Sequence, residues 1–134
     1  MSEYPPLPES AAPLLTAIVP ARNEARNIER CVRSILASEY PDLEVVAVDD
    51  HSTDGIGEIL ERLALEDDRL RVLRAQELPE GWFGKPWACW QGYRAARGSL
   101  LLFTDADTEH GPLLHGHAVA MLFAERAQLV TVMP

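Results

Sequence analysis

Three short polar stretches in this sequence carry residue types that could do chemistry. The first is Asp105-Ala106-Asp107, two carboxylates one residue apart, placed directly after the apolar run Leu100-Leu101-Leu102-Phe103 and Thr104. Charge at the tip of a buried strand is costly unless something pairs with it. Two alternate carboxylates supply hard oxygen ligands for Mg2+ or Mn2+, which takes substrate phosphates for much of the rest. An isolated Asp-x-Asp describes a surface turn equally well, so the octapeptide alone does not choose. The second stretch is Asp49-Asp50, after Leu43 to Val48, and the third is Asn23-Glu24, after Leu14 to Val19 and Pro20-Ala21. Acceptors in such places suit a base imide or a ribose hydroxyl. Lys85 precedes a predicted helix start, where a point charge and free N–H groups both favour an anion.

The elements that must position these residues follow from periodicity. Short apolar runs predict strands at 14–19, 43–48, 70–73, 100–104 and 128–133. Apolar residues at helical spacing predict helices through Ile28, Cys31, Val32, Ile35 and Leu36, and through Ile56, Ile59, Leu60 and Leu63. A third helix is expected from Pro86 to Arg97, with Pro86 in its first turn and Gly98 as its cap. A fourth starts at Pro112, with Leu114, Ala118, Met121 and Leu122 as its apolar face. Strands alternating with helices mean βαβ units, hence an α/β fold: a Rossmann-like three-layer αβα arrangement around a mainly parallel sheet. Residues 1–13, rich in proline and without periodicity, read as an extended or disordered lead-in to one domain over 14–134. Ligands of open parallel sheets bind outside the carboxyl ends of the strands. All three acidic stretches fall there, and together they point to a ligand site.

The bulk properties narrow the partners. A formal charge of −9 argues against nucleic acid or an anionic membrane surface, both of which need a basic face. It says little about small phosphorylated ligands, which respond to local charge. Cys31 and Cys89 show no Cys-x-x-Cys pattern and read as thiols in a reducing compartment. Neither a signal peptide nor a membrane span is evident, so a cytoplasmic location is expected. The close of the sequence on an apolar run, Val130 to Met133, suggests a fragment. Glu58 to Asp68 reads as a solvated helix face and turn.

Other polar and aromatic residues receive simpler readings. His115 and His117 are two apart, so a helix points them to different faces and a shared metal is not expected. His110 reads by default as a solvated loop histidine, with approach to a metal or diphosphate as the alternative. Trp87, Trp90 and Tyr93 read as packing, whereas Trp82 and Phe83, in the loop at the ligand edge, are candidates for ligand contact.

Val19-Pro20-Ala21-Arg22-Asn23-Glu24, Val48-Asp49-Asp50-His51-Ser52-Thr53-Asp54-Gly55 and Asp105-Ala106-Asp107 resemble, in order and spacing, three signatures of inverting family-2 glycosyltransferases of GT-A fold. Gly81-Trp82-Phe83-Gly84-Lys85-Pro86-Trp87-Ala88 more narrowly resembles the hopanoid-associated and carotenoid-type members. The resemblance implies a nucleotide-diphosphate sugar as donor, most often a UDP-sugar, with Mg2+ or Mn2+. It implies Pro20, Ala21, Asn23 and Glu24 in the nucleoside pocket, Asp50 in contact with the base, Asp49 beside it among the nucleotide-binding residues, and Lys85 near base or diphosphate. Asp107 becomes the principal metal ligand, with Asp105 beside metal and nucleotide. His51 and Arg22 depart from the family pattern. The narrower likeness implies a lipid or polyprenoid acceptor and a membrane-associated parent chain. The family's catalytic base lies in a later segment, so it is expected beyond Pro134, and the GT-A fold is expected to be incomplete at the C-terminus. The alternative is a non-catalytic nucleotide-binding fragment. A haloacid-dehalogenase-type phosphatase fits poorly, since Glu109 stands where its signature has Thr, and a receiver-like module needs its acidic pair after the first strand.

Overall fold

The computed structural model describes residues 12–124. Strands and helices alternate along them: β1 (Leu15–Ala21), α1 (Ile28–Leu36), β2 (Leu43–Asp49), α2 (Ile56–Glu66), β3 (Leu70–Arg74), α3 (Gly84–Ala95), β4 (Leu100–Phe103) and α4 (Leu114–Ala124). The strands form one parallel sheet in the order β3-β2-β1-β4. The expected strand at 128–133 and nearly all of the lead-in lie outside the described residues.

Every residue of β1 and β2 is buried, as a parallel sheet covered on both faces requires. Leu15, Ala17, Val19 and Ala21, with Leu43, Val45 and Ala47, pack into one layer with Ile28, Cys31, Val32 and Ile35 of α1 and Ile56, Leu60 and Leu63 of α2. Leu102 of β4 and Val119 of α4 join this core. On the opposite face Val46 and Val48 pack with Ala88 of α3. Right-handed crossovers demand this division, since the chain steps outward from β1 to β3 and then returns past β1 to β4. The reversal falls between β1 and β4. A doubly wound sheet opens its crevice at that point.

Several boundaries differ from the periodicity reading, each for a structural reason. β1 runs through Pro20 instead of ending there. The Leu15 N–H donates to the Asp42 carbonyl, and the Ala21 carbonyl accepts from the Asp50 N–H, both at 2.9 Å. Odd positions of β1 therefore face β2 and even positions face β4. The missing N–H of Pro20 falls on the side where β4 has already ended at Phe103, so no ladder bond is lost.

α3 begins at Gly84, with Pro86 tolerated in the first turn because N–H groups there have no helical partner. It ends at Ala95, because the chain beyond it is drawn into a buried polar network. The Arg97 N–H donates to Glu44 Oε2 at 2.7 Å and the Gly98 N–H to Thr16 Oγ1 at 2.9 Å. Gly98 is thus not a helix cap: a Cβ there would lie 2.6 Å from Thr16 Oγ1 and 2.7 Å from the Leu14 carbonyl. Among the α4 residues whose burial is described, His115, Val119 and Ala120 are the buried ones, one position round from the expected face, whose members are half-buried. Cys31 is buried, Cys89 half-buried, and both are free thiols.

Candidate functional site

The loops at the carboxyl ends of β1, β2 and β4 and the first turn of α3 enclose an open cleft of about 350 Å³. Pro20, Ala21, Arg22 and Glu24 form one wall, and Asp50, Lys85 and Ala88 a second. Asp105, Ala106 and Asp107 close the third side. Of the residues expected in the site, Asn23 and Asp49 do not line this cleft. Arg22, Ala88 and Ala106 line it although sequence reasoning did not select them. The two alanines carry no chemical signal; their small side chains leave room for a ligand.

The loops after β1 and β2 are stitched together by the residues that stay out of the cleft. Asn23 sits at φ +53°, a left-handed conformation that Asn tolerates better than most residues. From there its Oδ1 accepts the Thr53 N–H at 2.9 Å, and its own N–H donates to Ser52 Oγ at 2.9 Å. The Ala25 N–H donates to Asp54 Oδ2 at 2.8 Å. Asp49 is 3% exposed, and its Oδ1 accepts the Ser52 N–H at 3.0 Å, closing the turn that follows β2.

Asp50 points the other way, as the alternation of successive residues along a strand requires. It is 6% exposed, yet its side chain reaches the cleft beside the start of α3. A Cβ on Gly84 would stand 2.9 Å from Asp50 Oδ2, so glycine there lets the helix terminus meet the carboxylate. Neither Asp50 nor Asp107 has a side-chain hydrogen-bond or ion-pair partner among the described residues. Glu24 is steadied by Asn27 Nδ2, which donates to Oε2 at 3.0 Å.

Ala106 is buried in the main core, which turns its two neighbours outward and sets both carboxylates at the mouth of the cleft. Lys85 Nζ donates to Asp105 Oδ1 in an ion pair. That hydrogen bond raises the Lys85 pKa above the usual lysine value. Its partners are 65% and 58% exposed, so the pair adds little stability and is accessible to a ligand. Among the described residues no group of three or more His, Cys, Asp or Glu side chains converges as a metal cage. Two carboxylates at an open cleft nonetheless match the donor set that Mg2+ or Mn2+ uses alongside phosphates.

His110 is not a solvated loop residue and does not face the cleft. It is 7% exposed, and its ring lies behind the Asp105–Asp107 loop against Thr104, Thr108 and His115. His115 is fully buried. Burial lowers the pKa of His110, and burial together with the neighbouring His110 pushes His115 down to about 4. A histidine in an apolar helix face gave no sequence signal of this pairing. Trp82 and Phe83 are exposed and do not line the cleft. Trp87 donates from Nε1 to the Gln76 carbonyl at 3.0 Å, and Trp90 stacks on Tyr93 with ring centroids 5.5 Å apart.

The family model described as "Glycosyl transferase family 2" matches residues 16–133. The chain belongs to this family. It is 34% identical over 93 residues to the 4,4'-diaponeurosporenoate glycosyltransferase of Staphylococcus aureus, covering 69% of this chain and 24% of that protein. The mannosyltransferase PcManGT of Pyrobaculum calidifontis, solved with GDP-Man and Mn2+, superposes with a TM-score of 0.75 at 31% identity, covering 91% of this chain and 35% of that one. TarS 1-349 of S. aureus, solved with UDP-GlcNAc, gives a TM-score of 0.69 at 28% identity over 84% of this chain and 32% of that one. The chain thus spans about a quarter to a third of the length of these relatives. The parallel αβα architecture of the described residues is accordingly of the GT-A glycosyltransferase type.

Proposed function

We propose that the cleft binds a nucleotide-diphosphate sugar, a UDP-sugar by preference, as donor for inverting glycosyl transfer. The observation that carries this reading is the convergence of Asp50, Lys85, Asp105 and Asp107 on one cleft at the switch point of the sheet. Asp50, whose side chain opens onto the cleft and has no side-chain partner among the described residues, accepts from the base. Pro20, Ala21 and Glu24 line the nucleoside side, and Asn23 and Asp49 serve it by fixing the two loops. Lys85 meets the diphosphate, having Asp105 as its counter-charge until a ligand arrives. Asp107, assisted by Asp105, would hold Mg2+ or Mn2+; the bound metal would neutralise charge on the departing nucleoside diphosphate. The solved relatives with GDP-Man and Mn2+ and with UDP-GlcNAc support both donor class and metal.

The catalytic base and the acceptor pocket belong, in this reading, to sequence beyond residue 134. A relative named for diaponeurosporenoate supports a lipid or polyprenoid acceptor. The free thiols of Cys31 and Cys89 suit a cytoplasmic site, and none of the described helices is long and apolar enough to cross a membrane. Calorimetry of the chain with UDP, GDP and their sugars, with and without Mn2+, tests the assignment. Binding should require the metal, and Asp107→Ala should weaken it by about tenfold or more, or at least about 1.4 kcal/mol. Binding indifferent to Mn2+ and to Asp107→Ala would sink the reading. Both this reading and the alternative, a non-catalytic nucleotide-binding fragment, expect no transfer by residues 1–134 alone; robust transfer by them would contradict the placement of the base.

A further inference from the structure

Behind the Asp105–Asp107 loop a file of polar side chains crosses an otherwise apolar layer. It begins just past α1, where the Tyr40 N–H donates to Ser38 Oγ at 3.1 Å. Ser38 Oγ lies 2.8 Å from His115 Nδ1, and His115 Nε2 lies 3.0 Å from His110 Nδ1. The two rings are nearly parallel, 10° apart. His110 Nε2 then meets Thr104 Oγ1 at 2.9 Å and Thr108 Oγ1 at 3.2 Å, and the two hydroxyl oxygens are 3.0 Å apart. The file ends where Thr108 Oγ1 donates to the Asp105 carbonyl at 2.8 Å.

The direction of the file can be settled by counting protons. The Thr108 hydroxyl donates to the Asp105 carbonyl, which also accepts the Thr108 N–H at 3.3 Å and the Cys31 thiol at 3.6 Å. A backbone N–H only donates, so Ser38 Oγ already accepts from Tyr40 and its own proton is free to go onward. Ser38 then donates to His115 Nδ1, His115 Nε2–H to His110 Nδ1, His110 Nε2–H to Thr104, and Thr104 to Thr108. Each link has one proton and none is left over. In the reverse direction the Ser38 proton has no acceptor among the described residues, and the Thr104 and Thr108 oxygens face each other with no proton between them. A second proton on either ring would set two N–H groups against each other at the imidazole contact. The two rings are buried and the three hydroxyls half-buried; opposing or unmatched groups there cost up to about 1–3 kcal/mol each, which favours the first arrangement. The lowered pKa values of both rings agree with it.

We infer that His110 and His115 are positioning residues for the Asp105-Ala106-Asp107 loop, both rings standing as Nε2–H tautomers in a one-way chain from Ser38 to the Asp105 carbonyl. The chain ties the backbone between the two carboxylates to the segment just past α1. The His110 N–H strengthens the tie by donating to Ser34 Oγ at 2.9 Å, and Ser34 in turn donates to the Cys31 carbonyl. Asp105 and Asp107 therefore hold their orientation before any ligand arrives, and less ordering has to occur on binding. This inference rests on the donor-binding reading of the cleft, and its test separates the two.

Long-range 1H–15N correlation spectra of the full chain without ligand report the tautomers directly. Both rings should show a protonated Nε2 and a bare Nδ1; an Nδ1–H tautomer at either ring overturns the chain whatever the cleft binds. Calorimetry with UDP and Mn2+ then reports its consequence. His110→Gln, whose amide can reproduce the Nε2–H donor, should keep the affinity within about threefold, while His110→Leu should lose about tenfold or more, the scale seen for groups that orient metal ligands. Thr108→Val, which keeps the side-chain shape and removes the hydroxyl that links Thr104 and His110 to the Asp105 carbonyl, should lose a similar factor and guards against a His110→Leu chain that fails to fold. Wild-type affinity in a folded His110→Leu or in Thr108→Val overturns the inference. Absence of UDP binding by the unmodified chain overturns the donor-site reading instead, and the tautomers still decide the chain.

Discussion

Replacing Gly92 with Ala tests how closely α3, and with it one wall of the cleft, is set against the sheet. An added Cβ would stand 2.5 Å from Ile18 Cγ2 and 3.3 Å from Val48 Cγ2, against a comfortable carbon separation of about 3.5–4.0 Å. Ile18 and Val48 are fully buried in the two central strands, and β-branched side chains have little χ1 freedom. The helix itself must therefore move out by about 1 Å. Overpacking of this kind costs about 1–3 kcal/mol, while exchanging Gly for Ala inside a helix returns up to about 1 kcal/mol. With mid-range values the clash wins, leaving a net loss of about 1 kcal/mol and a Tm lower by about 3–5 °C. Gly57 of α2 supplies the control, because a Cβ there meets only Asp49 Oδ2 at an ordinary 3.6 Å. Gly57→Ala should gain about 0.5–1 kcal/mol. Thermal and urea unfolding of the two variants should thus move in opposite directions. A Gly92→Ala chain as stable as the parent would refute the close approach of α3 to the sheet.

Other perturbations have equally definite signs. Burial raises the pKa of Glu44, but donors from Thr16, the Arg97 N–H and Arg71 outweigh it and hold the carboxyl below its usual range of about 4.5. Its stabilisation is therefore present above that range and lost as pH falls through the folded pKa. Glu44→Gln should cost about 1–3 kcal/mol near neutral pH and flatten the acid limb of the denaturation curve. His115 moves from 6.5 to about 4, by burial first and His110 second. The unfolded chain then binds the extra proton between those values, and stability drops on acidification through that window by an amount on the order of 3 kcal/mol. A His115→Gln chain should lose this slope between about pH 6.5 and 4 in urea titrations. Lys85→Met removes an exposed ion pair, so Tm should shift by no more than about 2 °C; the affinity for UDP with Mn2+ should fall by about tenfold if the ammonium meets the diphosphate.

Local sequence was enough to locate the strand tips and to recognise what stands on them. Apolar runs and helical spacings are properties of adjacent residues, and so is an acid placed after a buried run. The βαβ alternation, the parallel sheet and the collection of Asp50, Lys85, Asp105 and Asp107 at one edge all follow from them. What the tertiary structure decided was the direction in which neighbouring residues point and what they meet there. Asp49 and Asp50 are chemically alike and adjacent, yet one closes the turn after β2 while the other enters the cleft, because the alternation of β2 carries on into Asp50, whose N–H still pairs with the Ala21 carbonyl. Pro20 continues β1 only because β4 is too short to need its missing N–H. His110 and His115 look, along the chain, like a loop residue and an intruder on an apolar helix face. Only when α1, α4 and the end of β4 pack together does each ring nitrogen find its partner, and burying them then becomes the arrangement of lowest free energy.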